Sequence, residues 1–315
     1  MTVAARLGQS GVFAALGAAV LFGAGTPLAK LLLGNIDPWV LAGLFYLGSG
    51  LGLWLLRRLR RAAPVRLPGS EWPWLGGAIV TGGVIGPVLL MLGLANMPAT
   101  GAALLLNAES IFTALLAWFI FKENVNRRTA LGMLAIVLGA LSLSWSQATG
   151  FAPGWPALAI LGACLAWGLD NNLTRRVSQV DASWLASVKG AVAGSVNLAL
   201  ALFAGASLPS LPLLLGAAGV GFMAYGVSLT LFVVGLRHLG TARTAAYFSV
   251  APFFGAALTV PLLGDPVTPS LLFAALAMGV GVWLHLTERH DHAHQHGTLT
   301  HSHPHFPDAQ HRHRH

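Results

Sequence analysis

From Gly11 to Leu286 the chain passes through apolar stretches of about 20 residues, separated by short clusters of charge, proline or asparagine. A segment of that kind in hydrocarbon must satisfy its own backbone, which leaves helices or closed barrels. The ten-residue alternating segments of a barrel are not present, so helices are expected. Composition agrees. Of 315 residues, 55% are hydrophobic and 9% charged, against roughly 25% charged in a soluble domain, and the mean hydropathy is +0.70. The sequence predicts an all-α polytopic membrane protein.

Spans are expected at about 11–33, 38–56, 73–95, 99–121 and 128–146, then at about 155–174, 182–205, 211–236, 242–263 and 268–286. The first run stays apolar for more than 20 residues after Arg6, longer than the core of a cleaved signal peptide, so it is expected to remain as a helix. With residues 1–10 in the cytoplasm, the inner side receives Arg6, Arg57, Arg58, Arg60, Arg61, Arg66, Lys122, Arg127 and Arg128. It also receives Arg175, Arg176, Arg237, Arg243, Arg289, Arg312 and Arg314, leaving Lys30 and Lys189 within spans and neither Lys nor Arg in an outer loop. That bias predicts a multi-pass protein of the plasma (inner) membrane with both termini cytoplasmic. It also accounts for the formal charge of +8 without a nucleic-acid partner. The single Cys164 excludes an internal disulfide.

Sliding the chain by 142 residues brings Gly93-Leu94 onto Gly235-Leu236, Ala103 onto Ala245, Phe112 onto Phe254 and Ala114 onto Ala256. At the same offset Leu116 meets Leu258, Glu123 meets Asp265, Val125 meets Val267 and Gly139 meets Gly281. At slightly larger offsets Phe22-Gly23 matches Trp167-Gly168, and Asp37 falls near Asp181. Two five-helix repeats, 11–146 and 155–287, joined by an outer linker at 147–154, are therefore expected. Five is odd, so the second repeat enters from the opposite side: ten transmembrane helices in two inverted repeats. Secondary transporters are often built this way, their halves rocking around a site near the midplane.

On these residues the chain resembles the EamA family of the drug/metabolite transporter superfamily, over about residues 10–287. The matching pieces are the aromatic-Gly pairs and the segment from Ala102 to Glu123. The family often shows Glu-Pro and an aromatic there, ending in Gly-Glu. One copy here has Glu109-Ser110-Ile111-Phe112 ending in Lys122-Glu123, and the other has Ala251-Pro252-Phe253-Phe254 ending in Gly264-Asp265. Each keeps half the pattern. The resemblance implies secondary transport, commonly export, of small solutes such as amino acids and other metabolites, and no particular substrate.

Polar residues within the spans are the candidate substrate or proton pathway. Glu109 falls close to the middle of its span, where a carboxylate must be protonated, paired or facing a watery cavity. Asn107 is near it on another helical face. Asp170 and Lys189 lie at similar depth on adjacent helices and can meet as an ion pair, serving either as a folding clasp or as part of a substrate lining. Asn171, Asn172 and Asn197 make the same hairpin the most polar buried stretch. Gly48/Gly52, Gly82/Gly86 and Gly190/Gly194 put small residues one turn apart, as close helix packing requires. Pro27, Pro87, Pro252 and Pro261 are candidate helix breaks, and Trp39, Trp72, Trp74, Trp145 and Trp155 an interfacial belt.

Beyond Leu286 the composition changes to a polar 288–315 tail, expected to be disordered and cytoplasmic. It holds His290, His292, His294, His296, His301, His303, His305, His311, His313 and His315. Neutral imidazoles in His-x-His spacing suit transition metals such as Ni, Co or Zn, although the irregular spacing defines no tetrahedral site. The tail either gathers metal for export or binds it incidentally. An EamA-like body with a His-rich tail is similar to members implicated in nickel and cobalt resistance, which adds divalent metal efflux to the candidates. No metalloprotease pair, nucleophile elbow or Walker loop is present, so an enzyme is not expected. The expected protein is a secondary exporter, its partners the lipid bilayer, a solute or divalent metal ion and H⁺ as coupling ion, with no resident cofactor. A membrane-anchored metal sensor or buffer is the alternative from another class.

Overall fold

The computed structural model describes residues 3–121, 127–144, 154–177, 180–239, 247–286, 290–296 and 299–305. Long helices dominate: α1 Val3–Leu33, α2 Pro38–Leu59, α3 Trp72–Ala78, α4 Gly86–Ala95, α5 Ala99–Leu105, α6 Ala108–Phe121 and α7 Arg127–Ser144. They continue as α8 Trp155–Arg176, α9 Ala182–Phe203, α10 Leu211–Gly221, α11 Ser228–Leu239, α12 Ala251–Leu263 and α13 Pro269–Leu286. A π-helical segment, Ile79–Ile85, joins α3 to α4, and another, Phe222–Val227, joins α10 to α11. Among the described residues five stretches are long and apolar enough to cross a membrane: Gly11–Leu33, Pro38–Leu59, Gly69–Ala95, Ala182–Phe203 and Leu211–Phe232.

The two halves show the same local solutions. Asp37 caps α2 by accepting from the Trp39 and Val40 N–H groups at 2.8 and 3.1 Å, and Asp181 caps α9 by accepting from the Trp184 N–H at 3.0 Å. The π segments also correspond, since the 142-residue offset carries Val80 onto Phe222 and Ile85 onto Val227.

Asp181 has a second task. Arg57 at the end of α2 donates to its carboxylate and to the Ser183 hydroxyl, both at 2.6 Å. Partial burial pushes the Asp181 carboxyl up, but the Ser183 and Trp184 hydrogen bonds and the Arg57 charge outweigh it and hold the group below its usual range. Arg58 lies over Trp54 and Arg176 over Trp74, at 5.1 and 5.4 Å from the ring centres. We call this end of the molecule the basic face. The other end carries Asp37, Met97 and Asp265.

Helix contacts go through small residues, as expected of the glycine pairs. The main one is α2 against α9, where a Cβ on Gly190 would press on Gly50 and the Tyr46 carbonyl, and one on Gly194 on Gly43 and Leu47. Gly48 meets the Ala218 backbone and Gly52 the Phe222 ring. In lipid such closeness replaces the hydrophobic effect, because van der Waals packing is what distinguishes a neighbouring helix from an acyl chain. Around it α1 packs on α11 and α12, α8 on α4 and α6, and α7 on α13.

Three expectations need correction. The span expected at 99–121 is not one helix: it breaks at Leu106 and Asn107, where the Asn107 amide donates to the Leu104 carbonyl at 3.0 Å. A short polar side chain here competes for the backbone of the preceding turn. Pro27 and Pro261 lie inside α1 and α12 rather than ending them. The tail, expected to lack regular structure, pairs β1 His290–His296 with β2 Leu299–His305 antiparallel, His290 opposite His305, His292 opposite His303 and His294 opposite His301. Every-second-residue repetition is the period of a strand, and the His-x-His pattern has it. Trp145, Glu123, Arg243, His311, His313 and His315 lie outside the described residues.

Replacing Gly190 with Val inserts carbon into the Gly50 contact and should cost about 3 kcal/mol. The expected result is a large drop in melting temperature of the detergent-purified protein, while Ala at Gly279, where nothing lies within 4 Å of a Cβ, leaves it unchanged.

Candidate functional site

The π segment at 79–85 organises the middle of the molecule. There the Gly86 N–H bonds back to the Thr81 carbonyl, five residues away. Pro87, next in the chain, has no N–H to offer the carbonyl five residues before it, Gly82, or four before it, Gly83. Other helices supply the missing donors. Tyr46 Oη donates to the Gly82 oxygen at 2.7 Å and Trp167 Nε1 at 2.9 Å, and Asn197 Nδ2 donates to the Gly83 oxygen at 2.8 Å. The Asn197 Oδ1 is buried without a hydrogen-bond partner.

Gly82 has no room for a side chain because the Asp170 carboxylate occupies that space. Asp170 accepts from Lys189 Nζ at 2.5 Å and from the Thr174 hydroxyl at 2.8 Å, and Lys189 also donates to Thr174 at 3.1 Å. Both partners of this pair are about nine-tenths buried, with side-chain exposures of 12% and 11%. The Asp170–Lys189 meeting anticipated from their depths is thus present.

One helical face further along α8, Asn171 donates to Glu109 Oε1 at 2.8 Å and to the Thr113 hydroxyl at 3.2 Å. Asn171 is exposed and Glu109 half-buried. The break at 106–107 places Glu109 in the first turn of α6, where unpaired N–H groups favour negative charge. Asn172 turns away, donating to the Gly168 and Thr113 carbonyls. Asn107 is not with this group: its amide lies against Met278 of α13 at 3.8 Å from the sulfur. Glu109, Asp170, Asn171, Asn172 and Lys189 are therefore gathered on α6, α8 and α9, while Asn197 serves the π segment and Asn107 another helix contact.

An aromatic face missing from the sequence reading stands beside them. Phe22 packs edge-on to Tyr225 at 5.8 Å, Tyr225 meets Phe45 at 5.7 Å and Tyr46 at 5.4 Å, and Phe22 meets Phe248 at 5.3 Å. Both Tyr46 and Tyr225 lie within electrostatic range of Glu109. The available signal was that two of only three tyrosines fall in mid-span, where a phenol needs a partner. Toward the end opposite the basic face, Lys30 Nζ donates to the carbonyls of Leu94, Ala95 and Met97 at 2.7, 3.2 and 3.0 Å. Asp265 accepts there from the Thr100 N–H and hydroxyl at 3.0 and 2.8 Å.

Among the described residues no three His, Cys, Asp or Glu side chains come together as metal ligands. A hollow of about 300 Å³ lined by Asp37, Trp39, Leu92, Ala201, Ala204, Gly205 and Ala206 shares no residue with the Glu109 cluster.

A family model described as the EamA-like transporter family matches residues 9–145 and again 154–287. An uncharacterized transporter of Methanothermobacter thermautotrophicus is 27% identical over 275 residues, covering 81% of this chain and 80% of that one. The uncharacterized inner membrane transporter YedA of Escherichia coli is 25% identical over 259 residues, covering 77% and 78%. A solved crystal structure superimposes with a TM-score of 0.65 at 19% identity, covering 86% of this chain and 94% of that one, which is a likeness of fold.

Removing one member of the buried ion pair strands the other. Asp170→Asn should cost about 3 kcal/mol, seen as a lower melting temperature, and Asp170→Asn with Lys189→Met should recover most of it. No recovery in the double variant would mean that the two charges act separately.

Proposed function

Because the chain belongs to the EamA-like transporter family, which matches it in both halves, we propose that it is a secondary active exporter loading a small solute at Glu109. It is a multi-pass membrane transporter and not an enzyme. The reading rests on one observation. Glu109 lies in the first turn of the half-helix α6, its carboxylate accepting from the amide of an exposed Asn171.

In this proposal the basic face is cytoplasmic, as the positive-inside rule requires of Arg57, Arg58 and Arg176, and both termini lie there. Joining α3 to α4, α5 to α6 and α10 to α11 as single crossings gives five per matched half and ten in all. The halves then enter from opposite sides. Loading occurs from the cytoplasm, and Glu109 alternates between a proton and the solute, which couples export to proton entry. Asp170 and Lys189 hold the wall of the site, with Asn171 and Asn172 lining it.

Two solute classes follow from different parts of the chain. The histidine tail supports a divalent transition metal ion, Ni, Co or Zn, gathered at His290, His292, His294, His296, His301, His303, His305, His311, His313 and His315 on the loading side. The site itself supports a small metabolite, because the Glu109 carboxylate accepts from the Asn171 amide, which also reaches the Thr113 hydroxyl, and no three metal-ligating side chains come together among the described residues.

The test is intracellular Ni, Co and Zn in metal-challenged cells making the full chain, a chain ending at Glu288, or Glu109→Gln, at equal membrane levels. Lower metal with the full chain, lost in Glu109→Gln, is the result expected of metal export, and the truncation then reports the tail's share. Unchanged metal in all three assigns the protein to the metabolite exporters. Transport of any solute that survives Glu109→Gln with its pH dependence intact would overturn the role given to Glu109.

A further inference from the structure

The charges inside the spans do not balance at the candidate site. Asp170 is matched by Lys189 at 2.5 Å, and Lys30 is held by three backbone carbonyls at the far end of its helix. The Glu109 carboxylate accepts from the neutral Asn171 amide at 2.8 Å, with no ion-pair partner among the described residues. Once Glu109 gives up its proton, the cluster of Glu109, Asp170 and Lys189 carries one negative charge, which repels anions and attracts a cation in a medium of low dielectric.

An aromatic face that reaches the same cluster through Gly82 and Asp170 narrows the kind of cation. Phe22 from α1, Tyr46 from α2 and Tyr225 from the second π segment form a continuous aromatic face, with Phe248 extending it. Phe45 is fully buried and backs the Tyr225 ring, whereas Phe22, Tyr46, Tyr225 and Phe248 are only half-buried and keep uncovered surface. The Tyr46 ring is fixed by its hydroxyl on Gly82, and Gly82 abuts Asp170. A carboxylate and ring faces in one cluster suit an alkylated ammonium: the rings attract a diffuse cation that a bare metal ion, which keeps its water, does not match.

Resting on the exporter reading above, we propose that the transported solute is an organic ammonium ion, its charge on Glu109 and its apolar body against the Phe22–Tyr46–Tyr225 face. Binding from the basic face releases the Glu109 proton to that side. At the other side a proton returns to Glu109 as the cation leaves, so one proton enters for each monocation exported.

The experiment uses the full chain in sealed proteoliposomes with an acidic lumen and phenyltrimethylammonium as the probe, since its permanent charge keeps it from crossing lipid unaided. Saturable uptake driven by the proton gradient is expected, abolished in Glu109→Gln and not competed by benzenesulfonate. Tetramethylammonium, which lacks the ring, should compete about tenfold more weakly, and Tyr225→Leu should raise KM about tenfold with its melting temperature retained, while Tyr225→Phe behaves as the parent. Equal competition by benzenesulfonate, or an unchanged KM in Tyr225→Leu, overturns the proposal without needing any other variant to fold. Nickel ions are tested in the same vesicles. Glu109-dependent Ni²⁺ flux without phenyltrimethylammonium uptake would overturn the ammonium proposal and leave the exporter standing, and Glu109-independent uptake of either would overturn both.

Discussion

Two backbone carbonyls, those of Gly82 and Gly83, hold the centre of this molecule in place. In hydrocarbon no water is available to a carbonyl whose helical donor is missing, and Pro87 has no N–H to offer either of them. Three side chains from three other helices take over: Tyr46 from α2, Trp167 from α8 and Asn197 from α9. The same glycines admit those helices at short range, Gly82 to Asp170 and Gly83 to Ala193. A local backbone irregularity thereby becomes the point at which α2, α8 and α9 are registered against the third membrane crossing, and the ion pair and the amides follow from that registration.

Features governed by local or one-dimensional rules were legible in the chain. Apolar length predicted the helices, the arginines predicted one basic end, and Asp37 and Asp181 were visible as equivalents before either was seen to cap a helix. The Asp170–Lys189 pair was legible because two helices joined by a short turn face each other at known depth. The π segments were not, because they arise from the conjunction of glycines, a proline and donors up to 114 residues away. Nor was the break at Asn107: hydropathy sees an uninterrupted run from Ala99 to Phe121, and only packing against Met278 and the Leu104 carbonyl shows where the amide goes. The aromatic face escaped for a related reason. Phe22, Tyr46 and Tyr225 come from three separate crossings, and aromatics in apolar spans carry no signal by themselves.

The repeat is faithful in backbone and divergent in chemistry. Both halves cap their second helix with aspartate and place a π segment in their third. In the first half that segment holds small residues and exposes carbonyls; in the second it holds Phe222 and Tyr225 and presents rings. The acidic residue retained in the first copy, Glu109, has Ala251 as its counterpart at the 142-residue offset. Each wall of the site draws on both halves: Glu109 of the first meets Asn171 of the second, and Tyr225 of the second packs on Phe22 and Tyr46 of the first.

Lys30 closes the end opposite the basic face by gripping the carbonyls of residues 94, 95 and 97 rather than any side chain. These carbonyls belong to the end of α4, where the helix dipole is negative, so the ammonium is held by the peptide chain itself. The loop sequence is thereby uncoupled from the seal. The three hydrogen bonds make no demand on the side chains of residues 94, 95 and 97, of which Leu94 and Met97 answer to the core instead, whereas Lys30 itself has no such freedom. Fidelity at this end is written in one side chain and read by the shape of the backbone.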